Sequence, residues 1–208
     1  MDQHDCRENA GVRMNVVEVG YRSLNSYALE MADGYLLIDV GMPGSFGEFA
    51  SVLRRKGVSV ERIRSLVVTH FHPDHCGIAE EVKGTGATLL LGDVQVPHLA
   101  GANRWLAKFP GFTTITDSGN AVVSTGDRAA WTARTGIGGV LLHTPGHSDD
   151  SVSVVIDGLG AFVGDLRFPE AYVGAAARQA EESWSRIRGA GARNAFPAHG
   201  PTLDLESA

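Results

Sequence analysis

The sequence predicts an α/β fold built from short buried strands and helices. Apolar runs rich in Val, Ile and Leu recur along the chain, bounded by Gly, Asp or Pro, which is typical of strands that end in tight turns. Helices are predicted at residues 46–56 and at about 177–190, so both halves of the chain combine the two element types. This pattern favours one layered α/β domain over two separate domains.

The elements of the first half follow from local patterns. Residues 46–56 are amphipathic, with Phe and Leu on one face and basic residues at the end, and therefore predict a helix. A short helix is expected at 77–83, and Asp93 is expected to cap a helix that runs toward Leu99. Strands are predicted at residues 12–19, 26–30, 35–38, 63–68 and 87–91.

Turns of Gly and Asp separate the predicted elements of the second half. Residues 100–119 form the least regular stretch and contain Trp105, Phe109 and Phe112, so we expect a loop over the functional site. Strands are predicted at residues 121–124, 129–133, 139–143, 152–156, 161–163 and 194–197.

Composition and charge argue against several classes of function. The chain has 208 residues, 43% of them hydrophobic, which is enough for one substantial core. Residues 1–10 are polar and predict a flexible N-terminus ahead of a single domain at 11–208. The net charge of −6, without a basic stripe, argues against nucleic-acid binding. No apolar run approaches the ~20 residues of a membrane span.

The two cysteines, Cys6 and Cys76, are too few for a disulfide framework. The N-terminus also lacks the apolar region of a secretory signal. Both observations favour a cytoplasmic location. A small-molecule substrate is the expected partner, and the sequence leaves a homodimer open.

Seven histidine and aspartate side chains indicate a metal-binding site. Imidazole nitrogens and carboxylate oxygens are the donors that a zinc-type metal takes, and five of the eight histidines belong to this set. Each one alone could be a turn or cap residue, but a structural role does not explain their joint occurrence at the ends of predicted strands. The candidate metal ligands are His70, His72, Asp74, His75, His147, Asp165 and His199.

Seven ligands are enough for two metals. In an extended segment His70 and His72 project to the same side, so both can reach one metal. Pro73 then turns the chain, which lets the next two residues, Asp74 and His75, face a second metal. Asp165 offers two oxygens and can bridge. Two cations ~3.5–4 Å apart could share a hydroxide and clamp the attacking and leaving oxygens of a hydrolysis.

The chain resembles the metallo-β-lactamase-fold superfamily over residues 25–201. His-x-His-x-Asp-His is a specific signature, and Thr-Pro-Gly-His-Ser, Val-Gly-Asp and Ala-His-Gly-Pro follow in the family's order. Residues 34–41, Gly-Tyr-Leu-Leu-Ile-Asp-Val-Gly, look like the family's segment before the histidine motif. The resemblance implies a four-layer αββα sandwich of the metallo-β-lactamase type, with a dinuclear site at one edge.

The resemblance also implies a role for each ligand. His70, His72 and His147 would bind the first metal, Asp74, His75 and His199 the second, and Asp165 would bridge them. Asp39 would orient a ligand histidine by accepting its other N–H; a strand-end turn is the alternative for this residue.

Differences from known branches of the superfamily limit the activities that the resemblance implies for this chain. Class B1 β-lactamases have Cys where Asp165 stands, and class B3 enzymes lack the bridging carboxylate, so antibiotic hydrolysis is disfavoured as the main activity. Flavodiiron proteins have Glu in place of His72, and acyl-homoserine lactonases have Tyr in place of Phe168. Glyoxalase II enzymes match all seven ligands but usually have a basic helical extension, which this chain lacks beyond His199. The protruding RNA-binding arm of RNase Z-like phosphodiesterases is also not evident in the sequence.

The leading interpretation is a metal-dependent hydrolase of a small ester, thioester or lactone. Two zinc ions are expected, with iron and manganese as alternatives, and their shared hydroxide would attack the carbonyl carbon. Asp74 is a ligand first, with a share in proton transfer as its predicted catalytic role. Two alternatives stay open: a mononuclear-iron oxidoreductase resembling persulfide dioxygenases, and a non-catalytic metal-binding relative.

Apolar and aromatic side chains near the motifs are candidates for the substrate pocket, and core packing is the alternative for each. His98 and His143 are interpreted as structural or surface histidines, and Cys76 as a packed residue, with metal ligation as a minor option. The candidate pocket residues are Met42, Phe71, Trp105, Phe168 and Tyr172.

Overall fold

Two β-sheets pack face to face in the computed structural model of the protein, which describes residues 14–207. Helices cover the outer surface of each sheet. The arrangement is the four-layer αββα sandwich that the resemblance implies, which confirms that expectation.

The first sheet has six strands in sequential order. The first three strands are antiparallel, and the third to the sixth run parallel to one another. They are β1 (Val16–Glu18), β2 (Tyr27–Met31), β3 (Gly34–Ile38), β4 (Ile63–Val67), β5 (Thr88–Gly92) and β6 (Asn120–Val123).

The second sheet has five strands in the order β11-β10-β9-β8-β7. All its pairs are antiparallel except β9 and β10, which are parallel. The strands are β7 (Gly139–His143), β8 (Val152–Ile156), β9 (Gly160–Gly164), β10 (Asn194–Pro197) and β11 (Leu203–Asp204).

Six α-helices accompany the sheets within residues 14–207, with short 3-10 turns at Val60–Arg62 and Pro169–Ala171. No helix of this described part is both long enough and apolar enough to cross a membrane. The helices are α1 (Phe46–Arg55), α2 (Pro73–Cys76), α3 (Ala79–Lys83), α4 (Val96–Leu106), α5 (Arg128–Thr135) and α6 (Ala175–Gly189).

Alternation of side chains along the strands divides the core into layers. In β3, Leu36 and Ile38 point into the cluster between the sheets, whereas Leu37 points into the cluster under α1 to α4. In β8, Val154 faces the central cluster and Val155 faces the cluster under α6. Because β3 is buried on both faces, its sequence is continuously apolar.

The predicted strand at residues 129–133 is wrong, because this stretch lies within helix α5. The Asp127 side chain accepts hydrogen bonds from the backbone N–H groups of Ala129 and Ala130 and caps the helix start. Gly136 ends the helix in the left-handed conformation, at φ 69°. Trp131 packs into the central cluster from one face of this helix, so its burial follows the helical period.

Three other predictions need correction. The expected loop at 100–119 is helical as far as Leu106, because α4 continues beyond Leu99. Asp93 does not cap α4; its carboxylate accepts hydrogen bonds from Val94 and Thr125 instead. The helix predicted at 77–83 begins only at Ala79, and α2 precedes it.

Strand boundaries agree to within two residues at most elements. The first strand begins at Val16 within the described residues, later than predicted, and β11 was not predicted. The prediction for residues 1–10, and Cys6 with it, lies outside the described part of the chain.

Candidate metal centre

The seven candidate ligands lie together in loops at one edge of the sandwich. The loop after β4 and the short helix α2 carry four of them, from the first sheet. The loops after β7, β9 and β10 carry the other three, from the second sheet. The carboxyl ends of β3, β4, β9 and β10 meet at this edge, which is where open α/β sheets place their binding sites.

The first group contains three histidines and one carboxylate, with ligand atoms within 4.8 Å of one another: His70, His72, His147 and Asp165. His72 Nδ1 and His147 Nε2 are 3.0 Å apart. Two nitrogens bound to one tetrahedral zinc ion at ~2.0–2.1 Å would be separated by roughly 3.3 Å. The spacing of these rings therefore fits a common metal ion.

The second group contains Asp74, His75 and His199. Asp74 Oδ2 lies 3.1 Å from His199 Nε2 and 3.5 Å from His75 Nε2. Asp74 and His75 are consecutive residues of α2, which begins at Pro73 directly after His72.

Asp165 lies between the two groups. Its Oδ1 is 3.3 Å from His75 Nε2 and 3.5 Å from His199 Nε2, while its Oδ2 is 3.6 Å from His147 Nε2. One oxygen thus faces each group, which is the arrangement that a bridging carboxylate requires. The roles of these residues as metal ligands stay predictions, but the side chains are where that hypothesis needs them.

Unsatisfied buried atoms test whether a metal fits. Within residues 14–207, six buried side-chain atoms have no hydrogen-bond partner, and three of them are His70 Nε2, His75 Nε2 and Asp165 Oδ1. Leaving such atoms unpaired costs about 1–3 kcal/mol each. All three belong to the two groups, and a cation bound there would satisfy them. The donor set therefore fits a pair of zinc-type metals.

The electrostatics of the centre also favour cations. Burial, followed by the neighbouring histidines, holds the pKa of His70 well below its ordinary value, which keeps it neutral and able to bind a metal. Burial opposes charge on His75, but the carboxylates of Asp39, Asp165 and Asp74 outweigh it and raise the pKa of that residue. The same carboxylates would attract a cation bound beside His75.

Asp39 lies beneath His75 at the end of β3. Its Oδ2 is 2.9 Å from His75 Nδ1, so the carboxylate accepts the ring N–H and directs Nε2 toward the centre. Its side chain also accepts hydrogen bonds from the backbone N–H of Thr69 at 2.7 Å and from the Thr69 hydroxyl at 2.9 Å. Asp39 adopts a left-handed backbone conformation, at φ 58°, which Asp tolerates better than most residues.

Several supporting residues were missed by the sequence reasoning. Asp150 accepts the backbone N–H of Phe71, between two ligand histidines, at 2.7 Å. The carbonyl of Ser23 accepts a hydrogen bond from His199 Nδ1 at 2.6 Å. The position of Asp150, three residues after His147, was the only available sequence signal, because the other contacts join distant parts of the chain.

The candidate pocket residues fall into two sets. Trp105, 39% exposed, lies with its ring centroid 5.8 Å from that of His72, and it lines a cavity of about 390 Å³ together with Phe71. Met42 lines a smaller cavity of about 160 Å³ beside Asp74. A larger cavity of about 960 Å³ lies at the other end of the strands and contains none of the seven ligands.

Phe168 and Tyr172 pack against the second sheet instead. Phe168 stacks on Trp184 at 4.8 Å. The Tyr172 hydroxyl accepts the backbone N–H of Arg167 and lies 3.3 Å from the carbonyl oxygen of Asp165, so it holds the loop that carries this carboxylate. Both side chains have the packing role that was the alternative interpretation.

Within residues 14–207, the remaining histidines and the cysteine lie outside the two groups. His143 Nε2 lies 2.9 Å from the carbonyl oxygen of Asp149, and His98 is exposed at the rim of the 390 Å³ cavity. Cys76 is buried, with its thiol directed at the carbonyl of His72, and burial raises its pKa well above the ordinary value. It therefore remains a neutral packed thiol.

Comparison with known proteins gives a match over most of the chain. A family model described as the metallo-beta-lactamase superfamily matches residues 19–199. This range includes all seven candidate ligands, from the histidine motif to His199.

Solved structures of other proteins are similar to the fold of this chain. A HARLDQ-motif variant of a metallo-beta-lactamase from Cronobacter sakazakii has a TM-score of 0.69 at 22% identity, over 89% of this chain and 77% of that one. A metallo-beta-lactamase family protein from Thermus thermophilus has a TM-score of 0.69 at 20% identity, over 93% and 75%. The subclass B3 metallo-beta-lactamase BJP-1 of Bradyrhizobium japonicum has 0.69 at 23%, over 89% and 75%. At these identities the likeness concerns the fold.

Proposed function

This chain belongs to the metallo-beta-lactamase superfamily, and we propose that it is a metal-dependent hydrolase of a small ester, thioester or lactone. One observation carries the proposal. Seven His and Asp side chains form two adjoining groups, and a carboxylate has one oxygen toward each group. The donor types favour two zinc ions, with iron or manganese as alternatives at the same ligands.

Each metal ion would be held by its own set of three residues. His70, His72 and His147 would bind one ion through neutral imidazoles, and Asp74, His75 and His199 the other. Bound metals of this kind supply an activated water as nucleophile and positive charge opposite the developing oxyanion.

Asp165 keeps the two positions at a fixed separation. Its backbone is held by the loop after β9, where the Tyr172 hydroxyl contacts both Asp165 and Arg167. Burial would raise the pKa of Asp165, but His75, His199 and His147 outweigh it and lower that pKa. The side chain is therefore ionised at neutral pH, as a bridging ligand must be.

Asp74 is the carboxylate with the greatest access to a substrate. Its side chain is one-third exposed, whereas Asp165 is more deeply placed. A carboxylate in this position could bind a metal and also accept a proton from the attacking water. Ligation is its first role, and a share in proton transfer is the finer part of the proposal.

The cavities beside the ligands support a small substrate. The cavity of about 390 Å³ next to His72 is within the usual size of small-molecule sites, and Trp105 offers an aromatic wall. The cavity beside Asp74 is smaller and includes Met42. A substrate bound across His72 and Asp74 would place its carbonyl between the two groups.

A metal assay and a substrate panel test the proposal together. Protein purified without added metal is analysed for zinc, iron and manganese, and is then assayed on esters, thioesters and lactones. We expect close to two ions per chain and turnover that His70→Ala and Asp165→Ala abolish. His143→Ala is the matched control, since this histidine lies outside both groups of candidate ligands.

Three outcomes would contradict the proposal. Hydrolytic activity retained by both His70→Ala and Asp165→Ala would refute the proposed metal-dependent hydrolysis. One iron per chain would favour the oxidoreductase alternative. Full metal occupancy without turnover of any ester, thioester or lactone would favour a non-catalytic binding protein.

A further inference from the structure

The loop that precedes β2 lies against the loop that carries His199. Four hydrogen bonds join the two loops, which are more than 170 residues apart in sequence. Three of them come from one residue, Asn25, and the fourth involves the carbonyl of Ser23.

Asn25 binds the His199 loop on both sides of the histidine. Its side-chain amide donates to the carbonyl of Pro197 at 3.2 Å and to the carbonyl of Gly200 at 2.8 Å. Its backbone N–H donates to the carbonyl of Ala198 at 2.7 Å. The amide group therefore donates twice to this loop.

Ser23 determines which nitrogen of His199 faces the centre. Its carbonyl accepts the Nδ1–H at 2.6 Å, so Nε2 is the ring nitrogen that faces the centre, 3.1 Å from Asp74 Oδ2. A backbone carbonyl has this effect on a ligand histidine because it fixes both the tautomer and the ring orientation.

His199 needs this support more than the deeper ligands do. It is 34% exposed, whereas the side chain of His75 is 0% exposed and His70 is 1% exposed. The core packs around the two buried rings, but most of the restraint on His199 must come from hydrogen bonds to its own loop.

The supporting loop is itself well anchored. Tyr21 and Leu24 form an isolated bridge and are buried, and Tyr21 hydrogen-bonds to Ser45 at the start of α1. Arg22 adopts a left-handed conformation at φ 57° and pairs with Glu48 at 2.7 Å. The loop can therefore act as a fixed template.

We propose that Asn25 is a positioning residue that holds His199 in place for the second metal and so controls the occupancy of that position alone. The inference rests on the proposed metal centre. Within the described chain no hydrogen bond joins Asn25 to His70, His72 or His147, so we expect the first position to keep its three histidines in the variant.

Metal titration of Asn25→Ala tests the proposal, with Asn15→Ala as the matched control. The Asn15 amide donates to an exposed Glu30 far from the centre. In buffers of defined free zinc, Asn25→Ala should bind the second ion 10- to 100-fold more weakly than the wild type and bind the first ion unchanged. Asn15→Ala should match the wild type. Asn25→Asp, which keeps the shape and removes the donors, should behave as Asn25→Ala.

Two results would overturn the proposal: wild-type affinity for the second ion in Asn25→Ala, or an equal loss at both positions. If Asn25→Ala does not fold, Asn25→Ser, which keeps one donor, takes its place with the same criteria.

A readout that needs no metal separates this inference from the proposed function. In protein prepared without metal, the backbone N–H of Ala198, which donates to the carbonyl of Gly164 at 2.9 Å, should exchange with solvent faster in Asn25→Ala than in the wild type or in Asn15→Ala. Unchanged exchange at Ala198 in Asn25→Ala would refute the positioning role, whether or not the protein proves to be a hydrolase. A wild type that binds one ion or none would refute the dinuclear centre and the control of a second ion with it, whereas the exchange result tests separately whether Asn25 holds the His199 loop.

Discussion

The backbone N–H of Phe71 donates to the carboxylate of Asp150 at 2.7 Å, across 79 positions of sequence. This bond joins the histidine motif after β4 to the loop that carries His147. A second bond, from the Val152 N–H to the Thr69 carbonyl at 2.8 Å, reinforces the same junction. The three-histidine group is therefore assembled from two loops that are tied directly to each other.

Replacement of Asp150 by Ala should destabilise this junction. The carboxylate is only 9% exposed, so its removal leaves the Phe71 N–H buried without a partner. We expect the free energy of unfolding to fall by about 1.5–3 kcal/mol. Chemical denaturation measures the change, with Asp149→Ala as control, because Asp149 is exposed and should alter stability by less than about 0.5 kcal/mol. Similar losses in both variants would contradict the role of the bond.

Gly164→Ala should damage the centre through a steric clash. A Cβ at this position would lie 2.4 Å from Thr69 Oγ1, and the residue has φ +57°. We expect a loss of about 2–5 kcal/mol, from backbone strain and overpacking together, and a reduced metal content. Gly126→Ala is the control. It has a similar φ, +83°, but no atom within 4 Å of its Cβ, so it should lose only about 1–2 kcal/mol. Equal losses of stability in the two variants would show that backbone strain, and not the clash with Thr69, causes the destabilisation.

Removal of metal should lower the melting temperature. A ligand present at 100 times its dissociation constant adds about 2.7 kcal/mol to stability. For a chain of this length, each kcal/mol shifts the melting temperature by about 2–4 °C, so a chelator should lower it by about 5–10 °C. Readdition of zinc should restore it. A melting temperature that does not respond to either treatment would indicate that the folded protein binds no metal tightly.

The Glu80–Lys83 pair should make stability depend on pH. Burial would raise the pKa of Glu80, but Lys83 and the backbone and hydroxyl of Thr116 outweigh it and lower that pKa. A carboxyl whose pKa is lowered by folding contributes stability above the unfolded-state pKa, near 4.5, and loses it as the pH falls through the folded-state pKa.

Glu80→Gln should therefore lower the free energy of unfolding by about 1 kcal/mol at pH 7. The difference from the wild type should shrink below pH 4.5. Glu182→Gln, in the exposed pair with Arg186, is the control and should cost no more than about 0.5 kcal/mol. Urea denaturation at several pH values compares the variants. A stability difference between Glu80→Gln and the wild type that grows as the pH falls would contradict the predicted role of the ionised carboxylate.

The convergence of the seven candidate ligands could be predicted because their sequence signals are local. His70, His72, Asp74 and His75 lie in one run, and each later ligand follows an apolar strand whose end could be recognised. The direction of the strands then brings the loops to one edge of the sandwich. The sorting of the ligands into two groups agrees with the geometry, although metal binding itself stays a prediction.

The supporting contacts could not be predicted, because they depend on the packing of distant loops. Nothing near Asn25 in sequence indicates that its amide binds the carbonyl of Gly200. Residues 129–133 were misread for a different reason: a short run of Ala and Thr around a single Trp fits a strand as well as a helix. The cap at Asp127 and the glycine at 136 were the decisive signals, and they lie outside the apolar run.

Both sheets contribute to the centre, since His70 follows a strand of the first and His147 and Asp165 follow strands of the second. A cation held by all three would cross-link the two halves of the sandwich at one edge. Separation of the sheets at that edge would then require release of the ion. Slowly exchanging amide hydrogens in β4 and β9 should accordingly gain protection together when metal is added.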